Sequence, residues 1–116
     1  MRPGIFDWPA QYAGDTAGSQ SFTITRNELP IDLTGAVVRM QVRECGRPIP
    51  ILSLSSAAGG TGIVIVDAPN GMIRVGYFRN PPAPGAYVYD LEVTFADGTV
   101  KTYLRGSYTI DGEVTQ

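Results

Sequence analysis

Asp90 and Glu92 stand two residues apart in the stretch Tyr87-Val88-Tyr89-Asp90-Leu91-Glu92-Val93. Strand alternation puts both carboxylates on one face, roughly 6–7 Å apart at the backbone. That spacing suits an acid and base flanking a glycosidic bond. No aromatic cleft pattern surrounds them, however, and the inventory offers no further help. The 116-residue chain has no His and one Cys, Cys45. Catalytic triads, His-based acid–base chemistry and Cys/His zinc sites all need side chains it lacks. Cys45 follows Glu44 with no His to activate it, the profile of an inert thiol. The chain is therefore not expected to be an enzyme.

Other groupings are as bland. Asp97-Gly98, Asp111-Gly112, and Asp67 with Asn70 offer the oxygen ligands a hard cation takes. Their spacing is not that of a calcium loop, and Asp-Gly is ordinary turn chemistry. Gly59-Gly60-Thr61-Gly62 has neither the Lys-Ser/Thr nor the helix that a phosphate cradle needs. Arg39 and Arg43 on one strand face, with Arg47 nearby, form the best basic grouping, too small for a nucleic-acid footprint in a chain of net charge −2. No metal, cofactor or nucleic acid is expected. Eight of the nine cations are Arg, a bias suited to planar, stacked contacts at protein interfaces.

The elements carrying these residues follow from pattern and composition. Apolar residues make up 43% of the chain and charged ones 17%, with 14 Gly and 9 Pro. This suits an ordered domain with many turns and few helices. A lone Cys forms no intrachain disulfide, so packing must hold the fold. The opening residues hold no apolar run of about 7–15, and no stretch of about 18 occurs. The expectation is a protein folded in a cytoplasm and not in a membrane.

Residues 1–19 show no period. Pro3, Gly4, Pro9, Gly14 and Gly18 are interspersed with Phe6, Trp8 and Tyr12. They are expected to form an extended arm whose aromatics either cap one end of the core or dock on another subunit, which makes Phe6, Trp8 and Tyr12 the candidate partner contacts. Residues 20–116 form the domain proper. Phe22 and Ile24 alternate with Ser and Thr until Asn27-Glu28-Leu29-Pro30 breaks the run. Val38, Met40 and Val42 alternate with Arg39, Gln41 and Arg43, the clearest amphipathic strand. Ile49 to Leu54 contains Pro50 and reads as an edge strand. Ser55 to Gly62 is a small, flexible loop, Ile63 to Val66 a short strand, and Asn70-Gly71 a turn. Met72 to Phe78 resumes alternation, and Asn80 to Gly85 must cross between strands.

Tyr87 to Phe95 and Val100 to Ile110 then predict a long antiparallel hairpin around Asp97-Gly98. Its outer face is expected to carry Asp90 and Glu92 opposite Lys101, Tyr103 and Arg105, pairing across the ladder as a solvated face. About seven short strands with frequent turns predict an all-β fold, a single antiparallel immunoglobulin-like β-sandwich with an extended N-terminal arm.

Three stretches carry a family resemblance. Ile31 to Arg43, with Asp32-Leu33-Thr34-Gly35-Ala36, resembles the opening strand of small tailed-bacteriophage and prophage structural proteins, including the N-terminal sandwich of siphophage upper-baseplate proteins. Gly85 to Thr94 followed by Asp97-Gly98-Thr99 resembles their hairpin, and Leu104-Arg105-Gly106 with Glu113-Val114-Thr115 their closing segment. The resemblance spans about residues 20–115 and omits the arm. It implies a virion component of the tail, baseplate or fibre-attachment region, made in the host cytoplasm. Its partners would be other virion proteins, met in multiple copies within a symmetric assembly. A head-decoration protein and a carbohydrate-binding sandwich, with exposed Tyr103 and Tyr77 stacking on sugars, are the alternatives.

Overall fold

Alternation of inward and outward side chains marks the longer strands of the computed structural model, which describes residues 4–5, 7–8, 11–12, 15–76, 78–80 and 84–111. The fold is all-β. Eleven strands occur among these residues: β1 (Gly4–Ile5), β2 (Gln11–Tyr12), β3 (Gln20–Thr23), β4 (Thr25–Arg26), β5 (Leu29–Pro30), β6 (Val37–Glu44), β7 (Pro50–Ser55), β8 (Ile63–Asp67), β9 (Met72–Val75), β10 (Gly85–Thr94) and β11 (Val100–Asp111). The larger sheet runs β1-β11-β10-β6-β7, with β2 also on β11. A second sheet runs β3-β9-β8, and β4 and β5 make a separate hairpin. The pairings are antiparallel except where β1 and β2 run parallel to β11.

Both sheets turn their inward residues onto one core. Val38, Met40 and Val42 of β6, Tyr87, Tyr89, Leu91 and Val93 of β10, and Ile73 and Val75 of β9 are all buried in it. Burying each such side chain contributes about 1.5–3 kcal/mol. The alternation expected for β6 is met residue by residue, and β10 and β11 form the expected antiparallel hairpin. Strand β7 lies at the sheet edge, its N-terminal Pro50 opposite a bulge at Val42/Arg43. Pro is tolerated there because no neighbour needs its missing N–H.

The face assignment of β11 needs one correction. Leu91 pairs with Leu104 and Glu92 with Thr102, so Tyr103 is the extra residue of a β-bulge. A bulge shifts the parity of the strand beyond it. Tyr103 accordingly turns inward, 8% exposed, with its ring 6.2 Å from that of Phe95.

The arm is part of the sheet. Gly4 and Ile5 pair with Leu104 and Arg105, and Gln11 and Tyr12 with Ile110 and Asp111. Between them the Trp8 N–H donates to the Ser107 carbonyl at 3.1 Å, and the Ser107 N–H to the Asp7 carboxylate at 3.0 Å. The described strands of the arm are extended, and they cover an edge of β11 that would otherwise expose unpaired backbone groups. Residues 15–17 clamp the chain after β9. The Ala17 N–H donates to the Phe78 carbonyl at 2.8 Å, and the Asn80 N–H to the Asp15 carbonyl at 2.9 Å.

Candidate functional site

Of the three candidate contact residues, Trp8 has a defined place, and it is inside. Its ring is 4% exposed and lies 5.5 Å from Tyr108, 6.2 Å from Phe22, 6.2 Å from Tyr89 and 6.3 Å from Phe78, centre to centre. A ring packed by four others inside its own domain has no face left for a neighbour. Trp8 therefore caps the core, the first of the two roles open to it. The backbone of Tyr12 lies in β2. Phe6 lies outside the described residues, as do Tyr77 and the Glu113-Val114-Thr115 segment.

The outer face of the larger sheet collects the charged residues. Arg39 is ion-paired and hydrogen-bonded to Glu92, and Arg43 lies 3.4 Å from the Asp90 carboxylate and also bonds Gln41. The carboxylates thus find their partners on β6, not on Lys101 or Arg105 of β11. Register explains this, because Glu92 sits opposite Arg39 and Asp90 opposite Gln41, one diagonal step from Arg43. Arg47 pairs with Glu44 at 3.2 Å, so each Arg of the expected basic grouping is matched by a carboxylate.

Between β6, β10 and β11 this face carries an open groove of about 430 Å³ lined by Arg43, Val88, Tyr89, Asp90, Arg105 and Gly106. Val88 is 41% exposed, opposite Arg43 on one side and Ser107 on the other. Arg105 sits opposite Asp90 but makes no ion pair among the described residues. The groove combines the apolar Val88, the Asp90 carboxylate, the Arg43 guanidinium engaged by Pro48, Asp90 and Gln41, and the Arg105 guanidinium, which has no ion pair among the described residues. That combination recognises a side chain pair with one apolar and one anionic member. Reading the sequence for clustered charge missed the groove. The available signal was Val88, the apolar member of the outward set Val88, Asp90, Glu92 and Thr94.

The remaining candidates resolve into structural roles. Asn70 donates to the Asp67 carboxylate at 2.9 Å beside Gly71, whose φ of 67° closes the turn. Asp97 accepts from the Thr99 N–H at 2.9 Å, and Asp32 from the Thr34 N–H at 2.9 Å and from its hydroxyl. Hydrogen bonds from Thr99, and from the hydroxyl and N–H of Thr34, hold both carboxyls below the usual aspartate range. The glycine run packs on its own strand, since a Cβ at Gly60 would stand 2.7 Å from the Ser55 carbonyl and one at Gly62 2.6 Å from Leu54. Cys45 is exposed at the β6–β7 turn. Of the two rings of the sugar-stacking alternative, Tyr103 is buried with its hydroxyl, and Tyr77 lies outside the described residues. Among the described residues no three Cys, Asp or Glu side chains converge as a metal cage, and no helix is long and apolar enough to cross a membrane.

Burial pushes the Tyr108 hydroxyl well above the ordinary phenol value. Burial does the same for Tyr89, aided by the Asp7 carboxylate. Both are core groups next to Trp8 and serve packing. No protein-family model matches the chain, and no curated protein matches it.

Proposed function

We propose that this chain is a structural component of a tailed-bacteriophage virion, in the tail, baseplate or fibre-attachment region, and that it acts through protein contacts as an immunoglobulin-like β-sandwich. The observation that carries this reading is where the family-like stretches fall. Of the family-like stretches, Val37 to Arg43 lies on β6, Gly85 to Thr94 on β10 and Leu104 to Gly106 on β11, adjacent strands of one sheet, while Ile31 to Ala36 and Asp97 to Thr99 lead into β6 and β11. Much of the resemblance thus falls on one sheet and its hairpin.

The strand order supports the finer fold. Order β11-β10-β6-β7 with β3-β9-β8 is compatible with an immunoglobulin-like sandwich in which the G-F-C sheet gains a strand beyond C and the partner sheet is B-E-D. These seven are the longer strands. Fold alone does not set function, so the contact-making role rests on the groove and the resemblance together.

Purified particles from a host carrying this gene test the reading. The chain should be found in them by mass spectrometry, and a labelled copy should give added density at the tail or baseplate in cryo-microscopy. Label on the head surface would transfer the chain to the head-decoration class, and absence from particles would refute the virion role.

A further inference from the structure

The hairpin β4–β5 ends in a two-residue loop, Asn27-Glu28, with Arg26 opposite Leu29. Both loop residues have positive φ, 52° and 67°. A two-residue hairpin turn of this kind is best served by Gly or Asn, and a Glu held there carries backbone strain without helping the turn. The next residue, Leu29, is 69% exposed. The tip therefore presents a carboxylate and an apolar side chain side by side, and Glu28 makes no ion pair among the described residues.

The groove on the larger sheet offers a complementary pair, the exposed Val88 and the Arg105 guanidinium, which has no ion-pair partner among the described residues because the Asp90 carboxylate opposite it is held by Arg43, so the groove's charges sum to one positive. We propose that the Glu28–Leu29 tip of one copy docks in the Arg105–Val88 groove of the next, Glu28 on the Arg105 guanidinium and Leu29 on Val88. One chain does not make this contact with itself. The hairpin is anchored at the β8–β9 end, where the Ile24 N–H donates to the Gly71 carbonyl at 2.8 Å. Arg43 of the groove lies far along β6, roughly 20 Å of strand beyond its start. Tip and groove are different surfaces, so the contact is made either reciprocally in a two-fold dimer or head-to-tail. Head-to-tail repetition closes a ring or extends a filament. This inference uses only the two surfaces and is independent of the virion reading.

Sedimentation of the purified full chain over a concentration series is the test. The wild type should self-associate, more weakly as salt rises. Glu28→Arg and Arg105→Glu should each weaken association by about tenfold or more, and the double variant should regain most of it, because the pair is only reversed. Leu29→Ser should also weaken it, with little change in its salt dependence. All these positions are exposed, so circular dichroism and melting should match the wild type. A chain that stays monomeric up to about 1 mM, the weak end of specific association, would overturn the proposal. So would single charge reversals that leave association unchanged, or a double variant no better than either single one.

Discussion

The hydroxyl of Tyr108 donates its hydrogen bond to the side-chain oxygen of Asn80, and both residues lie in the interior. Asn80 is the buried polar side chain of the described core, and its backbone is itself tied to Asp15. The bond joins the last strand to the crossing segment beneath Trp8. Replacing Tyr108 by Phe removes this hydrogen bond from a buried amide and should cost about 0.5–1.5 kcal/mol. Tyr103→Phe is the contrast, since that hydroxyl is buried without a hydrogen-bond partner among the described residues. Its loss should leave stability unchanged or slightly raised. Urea unfolding of the two variants checks both.

Trp8 should behave as a core residue. Trp8→Ala should destabilise the domain by about 3–5 kcal/mol, as for other large-to-small changes at packed aromatic sites. A chain lacking residues 1–19 loses that ring together with the β1 and β2 pairings, so it should melt far below the full chain. The native indole emission should be blue-shifted and poorly quenched by iodide.

Alkali should unfold the protein through its buried tyrosines. The folded state holds the pKa of Tyr108 and Tyr89 above the unfolded value, so it favours their neutral forms. Their contribution is fully present below about pH 10 and is lost as pH rises above it, because the unfolded chain releases protons the folded one retains. Absorbance near 295 nm should show these rings titrating together with loss of near-ultraviolet dichroism, not before it. Acid acts in the opposite sense on Asp32 and Asp97, whose pKa values are lowered. What they contribute is present above the usual aspartate range and fades as pH falls through it.

Two glycines with the same sign of φ should differ in tolerance. Gly46→Ala places a Cβ in open space at φ 78° and should cost only the left-handed penalty of about 1–2 kcal/mol. Gly71→Ala adds a Cβ 2.7 Å from the Ile24 carbonyl and 2.8 Å from that of Ile31, so the loss should be clearly larger. Thermal melts of the two variants give the comparison.

The sequence by itself determined the all-β class, the inward residues of β6 and β10 and the hairpin to β11, because period-2 alternation and turn residues are local properties that survive without knowing the neighbours. It also announced an extended, aromatic N-terminal segment. Tertiary structure decided what that segment does. Whether Trp8 faces outward or inward depends on space left between the sheets by Phe22, Phe78, Tyr89 and Tyr108, residues far apart in the chain. The same holds for Tyr103, since a single inserted residue in the ladder reverses its face and nothing in local composition marks the bulge. The pairing of Asp90 and Glu92 with β6, which leaves Arg105 without an ion pair among the described residues, is likewise a matter of strand order and register. Those are settled only when the whole sheet assembles.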